Sequence, residues 1–222
     1  MSSRTPLGKL AKLFVLAVCL AGLVLILNTA AVAQSKGQLT TDNSRVTFFG
    51  AEGDGSTFVY VFDRSGSMSE DEGKPLKVAR RELKDSLQTL TEVQKFSVVA
   101  YNHRVRTLPI GGGGLVFATD ANKRQAERFI DGVPADGGTQ HAEALLTAVR
   151  MRPDVIFLLT DGDADDDIAE DDIKRVERAN AGTIIHVIQF SRGGARQDDR
   201  LMSLARRSGG RHVFVDYATF QR

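Results

Sequence analysis

Three oxygen-bearing side chains follow one apolar stretch at alternate positions. Residues 58–62 are typical of a buried β-strand, and this run ends at Asp63, with Ser65 and Ser67 after it. Because the three side chains are spaced two residues apart, a tight loop can direct one carboxylate and two hydroxyls toward a common point. Hard oxygen donors of this kind suit Mg²⁺, Mn²⁺ or Ca²⁺. The stretch therefore predicts a divalent-cation site.

Strand and helix patterns alternate along the chain that surrounds this loop. We expect an α/β fold with a doubly wound, mostly parallel sheet, one antiparallel edge strand over residues 106–110, and helices on both faces. Residues 45–49 are predicted as a short edge strand, and the glycine-rich segment 51–56 as a flexible turn. Asp161 ends the apolar run 154–160 as Asp63 ends the run 58–62. If the two strands are neighbours, both acids meet at the ligand-binding edge of the sheet.

Three short motifs resemble one known family. The sequences FDRSGS at 62–67, GGT at 137–139 and LLTDG at 158–162 resemble the von Willebrand factor type A (VWA) domain with its metal-ion-dependent adhesion site (MIDAS). That family has Asp-x-Ser-x-Ser after its first strand, a threonine in a later loop and an aspartate after its fourth strand. The pattern maps by motif to Asp63, Ser65, Ser67, Thr139 and Asp161. The resemblance runs from about residue 45 to the C-terminus.

The resemblance implies a bound divalent ion, usually Mg²⁺ with Mn²⁺ or Ca²⁺ as alternatives, and one coordination position left for a partner protein's Asp or Glu. Neutral hydroxyl ligands leave much of the ion's charge uncompensated, which attracts such a carboxylate. Four residues near the motifs are candidates for the rim of the site: Arg64, Gly138, His141 and Asp163.

Three of the rim candidates, Arg64, His141 and Asp163, also have a structural interpretation. Arg64 either points outward to meet an acidic partner or is an exposed loop arginine. His141 either tunes the site or is a solvated residue at a helix start. The acidic run 163–172 either binds a second cation or is a solvated loop leading into a helix N-terminus, where the helix dipole favours acids, and we favour the second interpretation.

The residues favour a non-catalytic protein-binding domain over two alternatives. An enzyme, either a metal-dependent hydrolase or an aspartate-based phosphotransfer enzyme, needs a nucleophile with an adjacent base, and neither Ser65 nor Ser67 has an obvious histidine partner. A scaffold with an idle metal site is the other alternative. Nucleic-acid binding is not expected, because the net charge is +1 and no polybasic surface is evident.

The N-terminus has the pattern of an export signal. Arg4, Lys9 and Lys12 precede a long apolar run, and Ala31-Val32-Ala33 forms a small-x-small cleavage sequence. Residues 1–33 are therefore either a cleaved signal peptide or an uncleaved membrane anchor, followed by a polar tether at 34–44 and a VWA domain at 45–222. Both interpretations place the domain outside the cytoplasm, as expected for an exported or membrane-anchored bacterial protein.

Overall fold

The computed structural model describes residues 44–161, 168–194 and 199–220. The N-terminal segment 1–33 and Asp163 lie outside these ranges, as does most of the predicted tether. Within them, no helix is both long enough and apolar enough to cross a membrane.

A large, mostly parallel sheet forms the centre of the fold. Its strands lie in the order β5-β4-β3-β7-β8-β9, and β6 pairs with the beginning of β4. Strands β4, β3, β7, β8 and β9 run parallel, whereas β5 and β6 are antiparallel to β4. The ranges of these strands are β3 Thr57–Asp63, β4 Lys95–Tyr101, β5 Val105–Thr107, β6 Val116–Phe117, β7 Val155–Thr160, β8 Ile184–Ser191 and β9 His212–Asp216. The predicted parallel sheet is confirmed. Its predicted antiparallel edge strand is β5, which covers 105–107 and not 106–110, and β6 is a second, short antiparallel strand that was not predicted.

Helices cover both faces of this sheet, as predicted. They are α1 Glu70–Thr89, α2 Asp120–Gly132, α3 His141–Arg150, α4 Glu170–Ala179 and α5 Asp199–Arg207, with short 3₁₀ turns at Gly66–Ser69 and Gly111–Gly113. Thr119 caps α2, because its hydroxyl accepts the Asn122 N–H at 3.3 Å. In α1, residues 71–73 have positive φ, so the regular right-handed helix starts after them and Pro75 lies in its first turn.

The two sheet faces carry separate apolar cores because successive strand residues point to opposite sides. On one face Tyr60 and Phe157 pack beneath α1 and α2. On the other face Val61 and Leu158 pack beneath α3, α4 and α5. Both faces of β3 and β7 are therefore buried, which explains their unbroken apolar sequences.

A separate hairpin lies on the first of these faces and differs from the sequence prediction. Strands β1 Arg45–Phe48 and β2 Ala51–Asp54 pair antiparallel with each other, not with the edge of the large sheet. The glycine-rich segment is thus largely a strand and not a flexible turn. A Cβ at Gly53 would approach Val155 Cγ1 to 2.7 Å, so the glycine permits the hairpin to pack closely on β7.

Candidate functional site

Two buried acids meet at the carboxyl edge of the large sheet. Asp63 ends β3 and Asp161 follows β7, and these strands are hydrogen-bonded neighbours. Asp63 is fully buried and Asp161 is 8% exposed. The adjacency expected from the sequence is therefore present, and it places two carboxylates at one crevice.

The loop after β3 joins these acids through its serines. The Ser65 N–H donates to Asp63 Oδ1 at 2.7 Å, and the Ser65 and Ser67 hydroxyls are 3.0 Å apart. The Ser67 hydroxyl in turn donates to Asp161 Oδ2. Four of the five motif residues thus form one continuous hydrogen-bonded group.

A second polar layer supports Asp63 from the sheet. The Thr160 hydroxyl donates to Asp63 Oδ2 at 3.4 Å. Tyr101 lies beside it, and burial together with the negative charge of Asp63 raises the pKa of the Tyr101 hydroxyl well above its usual value. Tyr101 therefore stays protonated and hydrogen-bonds His141 Nδ1 at 2.9 Å.

The loop that carries Thr139 is held against the serine loop by backbone hydrogen bonds. The Gly66 N–H donates to the Gly137 carbonyl at 2.8 Å, and the Asp136 N–H donates to the Arg64 carbonyl at 2.9 Å. Thr139 Oγ1 is buried and has no hydrogen-bond partner among the residues that the structure describes. Buried hydroxyls are nearly always paired. In the described residues the hydroxyl of Ser97 also lacks a hydrogen-bond partner, but only Thr139 lies in a loop bonded to the serine loop.

Arg64 is a buried residue that links two loops, so both sequence interpretations, an outward-pointing arginine and an exposed loop arginine, are wrong. It is only 4% exposed. Its guanidinium donates to Asp136 Oδ1 at 2.6 Å, to the Pro134 carbonyl at 3.1 Å and to Asn102 Oδ1 at 3.0 Å. Asn102 donates back to the Asp136 carbonyl at 2.6 Å. Arg64, which lies between the predicted ligands Asp63 and Ser65 in the sequence, therefore holds the loop of Thr139 in place.

The other rim candidates differ in how exposed they are. His141 is 4% exposed and bonded to Tyr101, so it is neither solvated nor on the surface of the crevice. Gly138 is exposed, as a rim residue must be. Asp163 lies outside the described residues. Sequence reasoning missed the supporting roles of Asn102 and Asp136, although each is a polar residue directly beside a strand end or a motif.

The chemical types of the potential ligand atoms determine which metal ions the five motif residues could bind. Across the described ranges, no group of three or more His, Cys, Asp or Glu side chains is placed to hold a metal. The five motif residues instead offer two carboxylates and three hydroxyls. Such oxygen donors fit a hard divalent cation, which Asp63, Ser65, Ser67, Thr139 and Asp161 have the chemistry to hold.

Gly137 supplies a direct test of the loop geometry. Its φ is +69°, and an added Cβ would lie 2.1 Å from His103 Nδ1. We expect Gly137→Ala to lower the free energy of unfolding by about 1–2 kcal/mol, because a left-handed backbone is unfavourable for alanine. Urea denaturation measures this change.

The neighbouring glycine is the matched control. A Cβ at Gly138 would meet nothing within 4 Å, and its φ is not positive. Gly138→Ala should therefore change stability by no more than about 0.5 kcal/mol. Equal effects of the two substitutions would contradict the constraint assigned to Gly137.

Known proteins resemble part of this chain. Inter-alpha-trypsin inhibitor heavy chain H2 from Mesocricetus auratus is 36% identical over 118 residues, which cover 47% of this chain but only 12% of that protein. A von Willebrand factor A domain-containing protein from Dictyostelium discoideum is 29% identical over 119 residues, again 12% of its length. The chain thus matches a small part of these much longer relatives.

Solved structures show the same fold at low identity. A von Willebrand factor type A protein from Catenulispora acidiphila superposes with a TM-score of 0.62 at 23% identity, covering 76% of this chain and 41% of that one. Proximal thread matrix protein 1 from the mussel byssus, with a zinc-occupied MIDAS motif, has a TM-score of 0.54 at 18% identity, covering 74% and 42%.

The model of the von Willebrand factor type A domain family matches residues 56–214, from the residue before β3 into β9. This range contains the whole large sheet up to its last strand, with all five motif residues. The chain therefore belongs to the von Willebrand factor type A domain family.

Proposed function

We propose that this chain is a non-catalytic protein-binding domain that uses a divalent cation. The ion would be held by Asp63, Ser65, Ser67, Thr139 and Asp161, and it would bind an Asp or Glu carboxylate of a partner protein. Mg²⁺ is the ion we propose, with Mn²⁺ or Ca²⁺ as alternatives. The partner's carboxylate would complete the coordination, so binding requires the metal.

The Thr139 hydroxyl is the observation that carries this proposal. It is buried without a hydrogen-bond partner in the described part of the chain, in a loop bonded to the loop of Ser65 and Ser67. An unsatisfied buried hydroxyl costs about 1–3 kcal/mol. A cation beside the serines would give this oxygen a partner, which explains why the fold retains it.

The remaining contacts assign different roles to the donors. Asp63 already accepts hydrogen bonds from the Ser65 N–H and the Thr160 hydroxyl, so its main contributions are negative charge and the shape of the loop. The hydroxyls of Ser65, Ser67 and Thr139 add no charge. A bound ion supplies an electrophilic centre that retains affinity for another anionic ligand.

The surroundings of the serines support binding rather than catalysis. In the described residues neither Ser65 nor Ser67 is hydrogen-bonded to a histidine, and the Nδ1 atom of His141 is engaged by Tyr101. Activation of a serine nucleophile requires an adjacent base. The mussel protein, whose MIDAS motif is occupied by zinc, supports occupancy of such a site by a divalent ion in this fold.

We also propose that the domain works outside the cytoplasm. This rests on the basic residues, apolar run and Ala31-Val32-Ala33 sequence of the N-terminus. Mass measurement of the mature protein tests cleavage after Ala33. An intact N-terminus in the membrane fraction would favour the anchor instead.

Metal-dependent capture tests the function itself. The immobilised full chain should retain cell-surface proteins of the source organism in Mg²⁺ and release them in EDTA. The Asp161→Ala variant should no longer capture these proteins. The wild-type chain should likewise capture nothing from an extract in which the carboxyl groups of the proteins have been amidated. Capture unaffected by EDTA and by Asp161→Ala would contradict the proposal, whereas Mg²⁺-dependent turnover of a phosphate ester that is lost in Asp63→Asn would favour an enzyme.

A further inference from the structure

A small pocket opens directly beside the cluster formed by the five motif residues, Asp63, Ser65, Ser67, Thr139 and Asp161. It has a volume of about 80 Å³ and is bordered by Ser67 and Asp161. We call it the Glu70 pocket, and its other lining residues are Glu70, Pro75, Phe190, Ser191, Arg192 and Tyr217. A protein segment whose acid reaches the cluster would therefore pass over this pocket.

The floor of the pocket is apolar and aromatic. Phe190 is fully buried, Tyr217 is 4% exposed, and their ring centroids are 5.4 Å apart. Pro75, in the first turn of α1, closes one side. Such a floor suits the methylene stem of a long side chain.

The rim of the pocket carries an uncompensated negative charge. Nη1 of Arg192 lies 3.0 Å from each carboxylate oxygen of Asp71, so these two charges neutralise each other. Glu70 is exposed, and its carboxylate forms no hydrogen bond or ion pair with another described residue. Glu70 and Tyr217 line the same pocket. Burial, followed by the charges of Asp71 and Glu70, raises the pKa of the Tyr217 hydroxyl.

The backbone fixes this arrangement of charges. Asp71, Glu72 and Gly73 have φ of +47°, +59° and +75°, and this left-handed turn lies between the serine loop and the regular part of α1. The Lys77 ammonium donates to the Glu72 carbonyl at 2.8 Å, which ties the turn to the helix. The turn thus holds Asp71 on Arg192 and leaves Glu70 at the pocket.

From this charge and shape we propose that the Glu70 pocket binds a Lys or Arg side chain of the partner, close in sequence to the acid at the metal cluster. The cationic head lies at Glu70, and the aliphatic stem packs on Phe190, Tyr217 and Pro75. An acidic side chain is excluded by Glu70. The inference rests on the proposed function, because it assumes that a partner's acid occupies the neighbouring cluster.

A displayed peptide library tests the pocket. Each peptide contains one fixed Asp flanked by random residues, and selection uses the purified full chain in Mg²⁺ with an EDTA arm. We expect Lys or Arg to be enriched at a flanking position for the wild type. Because Glu70 is exposed, Glu70→Gln should weaken a selected peptide by about five-fold only, as measured by fluorescence anisotropy. Glu70→Lys should shift the enrichment toward Asp or Glu.

The matched control separates the pocket from the overall charge of the protein. Glu92 is exposed between α1 and β4, at the opposite end of the strands. Glu92→Lys makes the same charge change and should leave the peptide preference unaltered. The pocket inference alone would be overturned if the selected peptides bind in a metal-dependent way but show no preference for Lys or Arg. It would also be overturned if Glu92→Lys changes the peptide preference as much as Glu70→Lys does. Absence of any metal-dependent selection of acidic peptides would overturn the proposed function as well.

Discussion

Replacing Asp63 with asparagine is expected to remove most of the rise in thermal stability that we expect Mg²⁺ to give the wild-type chain. Asparagine retains an oxygen that accepts the Ser65 N–H, and it removes the buried charge. Loss of groups that only orient ligands weakens metal sites 10–100-fold, so loss of this carboxylate should cost about 100-fold or more. At a Mg²⁺ concentration 100 times the wild-type dissociation constant, the wild type gains about 2.7 kcal/mol and the variant about 0.4 kcal/mol, so the lost stabilisation is about 2.3 kcal/mol.

Thermal denaturation in Mg²⁺ and in EDTA measures this effect. A loss of about 2.3 kcal/mol corresponds to a shift of roughly 5–9 °C in Tm for a domain of this size. In EDTA the variant should match the wild type closely, which separates loss of the ion from misfolding. Asp85→Asn is the control, because Asp85 is exposed on α1 and its carboxylate forms no hydrogen bond or ion pair with another described residue. A Mg²⁺-dependent shift that survives in Asp63→Asn would contradict the assignment of Asp63.

Replacing Phe157 with alanine is expected to lower the free energy of unfolding by about 3–5 kcal/mol, because a fully buried ring leaves a cavity when it is truncated. Phe157 is fully buried on β7. Its ring centroid lies 5.5 Å from that of Tyr60, 5.8 Å from Phe48 and 5.4 Å from His186. The ring therefore joins β3, β8 and the β1–β2 hairpin.

The size of this loss is measured by urea or thermal denaturation, with a fall in Tm of about 10 °C. Phe117→Ala is the control, since Phe117 is 51% exposed and its ring contacts the Lys95 ammonium at 4.6 Å. That substitution should cost no more than about 1 kcal/mol. Equal losses for the two phenylalanines would contradict the central packing role of Phe157.

Much of the fold follows from local patterns along the chain. The apolar runs at 58–62 and 154–160 are local signals, and strands β3 and β7 form there as predicted. The hairpin was missed because its inward positions are Ala51 and Gly53. Small residues permit close packing on β7 but give no strand pattern in the sequence.

The supporting residues of the candidate site were less predictable. Arg64 looked like an exposed loop residue because its partners Asn102 and Asp136 are 38 and 72 residues away in the sequence. His141 looked solvated because its partner, Tyr101, lies 40 residues before it on another element. Sequence spacing contains no information on such pairs, and only the assembled loops bring them into contact.

By itself, the sequence determined the alternation of strands and helices, the family motifs and the five residues proposed to hold the ion. These features depend on local propensity and on residue type, which can be read from each segment without knowledge of the rest of the fold. Tertiary structure decided that β3 and β7 are neighbours, that Arg64 turns inward, and that the Glu70 pocket opens beside Ser67 and Asp161. Those features arise from strand order and from long-range hydrogen bonds, which exist only once the chain has folded.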